Sequence, residues 1–534
     1  MRNIVILGGG FGGIYTAMYL EKYLSKAQMK EYKIILINRE NYFVYQPMLA
    51  EVVGGSVGIL DTVSSIRKLL PKTALYIREI EKIDTDNKVI NLAPRFSHTT
   101  DVVPYDKLVV GLGNVTDFHG MAGLHEHALP FKNLADALNI RNRIIDTIEQ
   151  ASIETDPIER KQLLTFVVGG GGFSGTEVVA ELNDFVRKLA KKYKTIDKRE
   201  IRVVLVHSKD RLMEKELSES LGIYAEKLLK KRGVEIIFNT HLLSASQQEA
   251  LLDNGDHIPA KTIISTVPSS PNPLIKDLNL ELSHGRVVTD MGMQAIDKTD
   301  VWAIGDCALI PQEEGGFCPP TAQFAIREAK VLAQNVIARI ENKASKNFKF
   351  KALGMLGALG HHSAVAELFG KIKFSGILAW IFWRAIYWIK LPGIDRKIKV
   401  AFSWMLDMLI PQEAVQLKIE PSQGIASLHF EKDEVIFHQG DVGDYLYIIT
   451  EGSVEVLREQ ECGCKRVATL SKGEYFGEMA LVHQKTRSAT IKCLESTNVL
   501  ALKKSDFGLL VANFSELRES FEKTSENRKN VVNE

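Results

Sequence analysis

Cysteine is scarce in this chain: five in 534 residues, none of them before Cys307. That excludes a disulfide-stapled secreted scaffold, and it excludes a redox CxxxxC pair beside an N-terminal nucleotide fold. A dominant charge is also missing. Sixty-seven Lys+Arg against 66 Asp+Glu leave a net charge of +1, so no global basicity points to nucleic acid. No segment offers the roughly 18 uncharged apolar residues of a spanning helix. Met1-Arg2-Asn3 runs straight into an apolar strand, so no secretory leader is expected. Cys462 and Cys464 make no complete ligand set, and no metal site is expected. With 45% hydrophobic and 25% charged residues, the chain is ordinary globular protein rather than disordered.

What is present is glycine in two special places. Ile4–Leu7 reads as a buried strand broken by Gly8, Gly9, Gly10, Gly12 and Gly13, followed by a helix through Tyr23 and a strand at Lys33–Ile37. A second such opening starts at Leu164–Val168, with glycines at 169–172 and 175, a helix to Ala190 and a strand at Arg202–Val206. Two β-turn-α-β openings predict an α/β chain with two doubly wound, Rossmann-like subdomains. In the first, Gly8 permits the tight turn, Gly10 admits a pyrophosphate, and Gly13 lets helix pack on strand. Gly9, Phe11 and Gly12 complete the loop, whose helix N-terminus favours an anion. Asn38, followed by Arg39, closes the next strand where an acid usually holds a ribose. Val301–Ile304 then ends in Gly305-Asp306, a second flavin-type motif.

The other cradle is Gly170-x-Gly172-x-x-Gly175. Together the two predict FAD and NAD(P)H. His207 closes its second strand in place of an acid, with Lys209 and Arg211 near, so NADPH stays open beside NADH. Glu177 lies in the first helical turn. On the residues alone, a carboxylate stabilised by the helix dipole is favoured over an acid that works beside the flavin.

Residues 1–415 resemble a type II NADH:quinone oxidoreductase, a single-chain, non-pumping flavoenzyme of the membrane surface. The stretches that carry the likeness are Asn41-Tyr42 to Gln46-Pro47, Val109–Thr116, His127–Pro130, Phe173–Glu177 and Pro319–Gln323. The resemblance implies FAD, NADH and a membrane quinone. It gives Glu177 a catalytic part, puts Ala322 and Gln323 at the flavin ring and quinone pocket, and has Asp306 bind FAD. Asn38, Arg39 and Ile80 fall at the adenosine half. Arg327 stands where the family often has a second glutamine. The organisation expected is a flavin domain at 1–160 and 291–345, a nicotinamide domain at 161–290, and a membrane-associating helical region at 346–415.

In that last region seven basic residues (371, 373, 384, 390, 396, 397 and 399) stand against one acid, Asp395, between Lys371 and Lys399. Trp380, Trp383, Trp388 and Trp404 interleave with them. The pattern predicts amphipathic helices in the headgroup layer, tryptophans at the interface and cations toward anionic lipid. The alternative is a buried helical hairpin or a dimer interface, and a homodimer stays open. A peripheral location on the cytoplasmic face of a membrane follows.

Residues 421–520 resemble a cyclic nucleotide-binding β-roll, through Gln439-Gly440-Asp441-x-Gly443-Asp444-x-Leu446 and the cassette Phe476–Leu481 with Arg487–Thr490. Glu478 would accept the ribose hydroxyl and Arg487 would neutralise the cyclic phosphate, with Gly477 and Ser488 beside them. Cyclic AMP is expected ahead of cyclic GMP. No helix-turn-helix follows, so no nucleic acid is expected, and 521–534 form a polar tail. Two rivals remain: a sulfide:quinone-type oxidoreductase on the same fold, for which Cys307 and Cys318 come too late, and a non-catalytic nucleotide sensor on a flavoprotein scaffold.

Overall fold

Aliphatic runs that end in glycine build two sheets of one plan. A computed structural model of the chain describes residues 1–93, 101–118, 121, 123–266, 269–409, 415–416, 425–441, 445–460, 463–482, 486–503, 507 and 523. Its contacts divide into one unit of Met1–Glu79, Ile83–Val89 and Pro104–Leu417, and a second of Ile80–Lys82, Ile90–Val103 and Lys418–Glu534.

In the first unit, strand Arg2–Leu7 lies between Lys107–Val110 and Tyr32–Asn38, with Val301–Ala303 and Ala74–Ile77 outermost; every pairing is parallel. Ile4, Val5, Ile6 and Leu7 are all fully buried, the continuous apolar texture of a strand covered on both faces. The second sheet centres on Thr165–Gly169, flanked by Thr262–Ser265 and Arg202–Val206, with Ala128–Pro130 and Val234–Ile237 outside, again all parallel. It thus recruits Ala128–Pro130 from the stretch that sequence reading gave to the flavin domain. Its core joins helices Leu134–Ile153 and Phe173–Ala190 and also takes in Leu49, Val52 and Val53.

The region from 346 to 415 departs from the expected all-helical reading. A three-stranded antiparallel sheet, Gly354–Ala358, Ala364–Leu368 and Ile372–Gly376, comes first. Helices Ile377–Lys390 and Ile394–Leu409 follow. Among the described residues no helix is long and apolar enough to cross a membrane.

The tryptophans are not on the outside as expected. Trp380, Trp383 and Trp404 are 7%, 1% and 7% exposed, and only Trp388, at 37%, reaches the surface. Arg384 is buried rather than turned toward lipid. On the second helix Ser403 donates to Asp61 at 2.8 Å and the Asp407 side chain is 3% exposed. What these helices present outward is apolar without tryptophan's polar edge: Ile377, Leu378, Ile381, Ile398, Phe402 and Leu406. The inversion has a local cause. A carboxylate on the neighbouring helix Leu49–Gly54 captures the guanidinium and an indole N–H, so the polar edges are drawn inward.

The second unit contains two four-stranded sheets. Ile425–Phe430, Thr497–Lys503, Tyr445–Glu451 and Tyr475–Phe476 form one, and Val435–Phe437, Thr490–Cys493, Ser453–Gln460 and Gly463–Ser471 the other. Tyr447, Ile449, Val454, Phe476, Ile491 and Val499 fill its core. The expected hairpin is present, with Gln460 opposite Gly463. Cys462, Gly443, Asp444, the helix expected after Leu502 and the 521–534 tail, apart from Lys523, lie outside the described residues.

Candidate functional site

Each cradle is a glycine turn that no side chain could replace. Gly8 has φ +96°, and a Cβ on it would stand 2.3 Å from the Gly111 carbonyl oxygen. A Cβ on Gly13 would stand 1.9 Å from the Gly8 carbonyl oxygen, whereas one on Gly10 would meet nothing within 4 Å. The turn is therefore closed on its protein side and open toward the space a pyrophosphate would take. Helix Phe11–Tyr23 has no side-chain cap at Gly10, so its first-turn N–H groups point to that space. By contrast helix Leu134–Ile153 is capped by Asn133 and helix Ala322–Ile340 by Thr321.

The second cradle repeats the first. Gly170 has φ +109°, a Cβ on Gly175 would stand 1.8 Å from the Gly170 carbonyl oxygen, and Gly172 gives its helix no side-chain cap. One difference lies at the mouth: a Cβ on Gly172 would come 3.3 Å from Glu216 Oε1.

The residues that close the second strands do something the sequence did not reveal. Asn38 Oδ1 accepts the Gly9 N–H at 2.8 Å, and His207 Nδ1 accepts the Gly171 N–H at 3.0 Å. With Nδ1 accepting, His207 Nε2 carries the proton and donates to the Arg211 carbonyl at 3.1 Å. Burial lowers the imidazole's pKa. His207 is thus a neutral brace for the loop. Arg211 donates to the carbonyls of Leu217 and Glu214, and Lys209 is exposed. Arg39 pairs with Glu79 at 3.1 Å. Ile80 groups with the second unit.

Asp306 sits in the turn Gly305–Cys307 at the end of the Val301–Ala303 strand, and burial raises its carboxyl. Glu328 Oε2 accepts the Gly305 N–H at 3.2 Å, and burial pushes this carboxyl up to about 8. Gln323 spends its carboxamide on the backbone: it donates to the Gly354 carbonyl at 3.2 Å and accepts the Leu353 N–H at 3.0 Å. Arg327 donates to the Gln323 carbonyl at 2.8 Å and stacks 4.1 Å over the Phe350 ring. Gln323 therefore fixes the start of the three-stranded sheet to the helix whose first residue is Ala322.

Glu177 accepts the Ala358 N–H at 3.0 Å. It is half-buried, and desolvation carries its carboxyl to about 8. An acid with that pKa can hold or release a proton near neutral pH, which a surface carboxylate stabilised by a helix dipole does not do. Sequence reading missed Glu51, whose charge acts on Glu177, and Glu181 one helical turn on; it gave Arg384 and Asp407 to the polar edges of the docking helices. For Glu51 the signal was there, as the solitary charge in the apolar run Leu49–Val53.

Cys307 is fully buried, with its Sγ donating to the carbonyls of Val110 and Ile304, and burial raises its thiol to about 11. Cys318 is raised to about 11 as well. Neither is a ready nucleophile.

In the second unit Gly477, Glu478, Arg487 and Ser488 line one pocket with Phe437, Val456, Leu470 and Ile491. Arg487 is 4% exposed and donates to the carbonyls of Gly477 and Tyr445 at 2.9 and 2.8 Å. Its guanidinium lies 4.1 Å over Phe437. Ser488 Oγ contacts Met479 Sδ at 3.5 Å.

Three family models match the chain: pyridine nucleotide-disulphide oxidoreductase at residues 2–329, the NDH2 C-terminal domain at 353–411, and the cyclic nucleotide-binding domain at 427–514. A probable NADH dehydrogenase of Dictyostelium discoideum is 28% identical over 427 residues, covering 77% of this chain and 90% of that protein. A type II NADH:quinone oxidoreductase of Mycobacterium tuberculosis is 27% identical over 426 residues, covering 76% and 87%. The NDH2 structure from Plasmodium falciparum in complex with NADH superposes with a TM-score of 0.70 at 19% identity, a likeness of fold over 78% of this chain and 99% of that one.

Proposed function

Because the chain belongs to the pyridine nucleotide-disulphide oxidoreductase family, we propose that it oxidises NADH and reduces a membrane quinone, with FAD in the first cradle. The observation that carries this reading is the pair of uncapped glycine cradles in one unit, with Glu177 at the start of the second cradle's helix. Bound FAD would supply the two-electron relay between the two substrates. The loop of Gly8, Gly9, Gly10, Phe11, Gly12 and Gly13 would hold its pyrophosphate, braced by Asn38, and Asp306 its ribityl chain. Gly170, Gly172 and Gly175 would hold the nicotinamide nucleotide, braced by His207. Glu177 would hold a proton beside the redox centre. Gln323 would position the loop at 353–354, with Ala322 at the flavin edge.

The exposed apolar face of helices Ile377–Lys390 and Ile394–Leu409 supports docking to a bilayer. Lys371, Lys373 and Lys399, all exposed, suit an anionic cytoplasmic leaflet. The module around Arg487 supports a regulatory cyclic nucleotide, with cyclic AMP the first ligand to try and cyclic GMP the second.

Anaerobic mixing with NADH followed by a short-chain quinone tests the proposal. The flavin absorbance should bleach and then return. A flavin that stays oxidised, or a reduced one that no quinone reoxidises, overturns it. Replacing Cys307 and Cys318 by serine should leave turnover intact; loss of turnover would favour the sulfide:quinone reading instead.

A further inference from the structure

Three buried acids surround one guanidinium. Arg384 Nη2 lies 3.2 Å from Glu51 Oε1 and 3.8 Å from Asp407 Oδ2, and its plane stacks 3.9 Å over Trp380 and 4.8 Å over Trp404. Trp404 Nε1 donates to the other Glu51 oxygen at 3.2 Å. Glu181, 6% exposed, packs so closely on the same helix that a Cβ on Gly54 would stand 2.1 Å from its Oε2. A structural ion pair needs one acid for one cation. Holding three buried carboxylates as anions would cost far more than one guanidinium returns. The group therefore retains at least one proton. Burial and mutual repulsion raise Glu51, and raise Glu181 well above the carboxylate range.

The cluster connects in two directions. Toward the redox site, Glu181 follows Glu177 by four residues and shares its helix face, and the charge of Glu51 raises both. Toward solvent, His361 Nδ1 lies 3.8 Å from Asp407 Oδ2, and its ring stacks 4.0 Å from that of His362, which is exposed. The other charged groups facing this path are Asp184, Lys188 and Arg232. Asp184 is held by Arg232 at 3.1 Å and by the His361 N–H at 2.8 Å.

We infer that Glu181 and Glu51 form a proton store for quinone reduction, refilled from solvent through His361 and His362, which Asp407 joins to Arg384. This rests on the proposed function, and the chemistry calls for such a store. Conversion of quinone to quinol consumes two electrons and two protons. NADH delivers two electrons with one proton, as hydride, and becomes NAD⁺. One proton per turnover must come from water. The apolar side chains of the docking face, Ile377, Leu378, Ile381, Ile398, Phe402 and Leu406, carry no proton, so a route through other protein groups is needed.

Glu181→Gln preserves shape while removing the exchangeable proton. Anaerobic flavin bleaching by NADH should be unchanged. Turnover with ferricyanide, which takes electrons without protons, should be retained. Reoxidation by quinone should slow by about a hundredfold, more so as pH rises, with a larger solvent isotope effect. Independently of turnover, the infrared spectrum of the holoenzyme should contain a protonated-carboxyl C=O band that the variant lacks. His361→Gln, at the edge of the cluster, should give a milder selective loss that added imidazole restores, and it decides the matter if Glu181→Gln does not fold. Equal loss with quinone and ferricyanide, full quinone turnover in both variants, or an unchanged carboxyl band overturns the store. A wild type that reduces no quinone overturns the proposed function itself, and this inference with it.

Discussion

The first and second cradles have the same backbone and different fittings. In each, the first glycine takes a positive φ, the last glycine is pressed against the first one's carbonyl, and the strand-end side chain reaches back to the second glycine's N–H. Asn38 does this with a group that does not titrate, and His207 with one that does. At the mouth, the Gly10 side is open while Glu216 stands beside Gly172. An open mouth suits a resident cofactor. A carboxylate facing an incoming pyrophosphate favours release, as a nucleotide that must leave each turnover requires.

The largest test of this division lies at the closing glycines. A methyl on Gly13 or Gly175 would overlap backbone carbonyl oxygen at 1.9 or 1.8 Å, which exceeds ordinary overpacking strain of about 1–3 kcal/mol. Gly13→Ala should yield colourless protein. Gly175→Ala should stay yellow, yet its flavin should not bleach with NADH. Absorbance spectra of the two purified variants check both outcomes. A yellow Gly13→Ala, or a colourless Gly175→Ala, would mean the cradles are assigned the wrong way round.

A smaller effect is expected at Glu216. Removing its charge with Glu216→Gln takes away a like-charge repulsion of about 0.2–1 kcal/mol, the scale of interactions between partly exposed charges. The KM for NADH should fall about two- to fivefold and flavin retention should not change. Steady-state kinetics at low ionic strength would show it. A raised KM would mean that the carboxylate binds the nucleotide rather than repelling it.

Both cradles were legible from glycine spacing alone, because a turn that only glycine can make leaves a mark in the sequence. The strand-end residues were found, but their role was not. Position 38 or 207 reads as a ribose contact until the loop N–H is seen on it. The docking helices were harder. Both faces of Ile377–Lys390 carry large apolar residues, so the sequence shows an apolar helix without saying which side meets protein. Trp383 and Arg384 then read as interface and headgroup contacts when they are core. Glu51 is a single charge in an apolar run, and Asp407 falls on one helical stripe with Lys399 and Ser403, which reads as a solvated edge. Their meaning depends on segments more than 300 residues apart meeting around Arg384.

The smallest effect separates Asn38 from His207 by pH. The folded pKa of His207 lies below the unfolded value because burial disfavours the imidazolium. As pH falls, the unfolded chain takes up this proton first. The brace's contribution is therefore full above about 6.5 and is lost as pH falls below that toward the folded value. Protonated Nδ1 can no longer accept the Gly171 N–H, so the second loop loosens while the first, braced by an amide, does not. Between about pH 8 and pH 5 the wild-type KM for NADH should rise about two- to threefold beyond that of His207→Asn, which restores an amide brace. Flavin retention should follow one curve in both proteins. A wild-type KM that tracks the variant across this range would mean that His207 keeps its proton arrangement throughout and that the two braces are equivalent in practice.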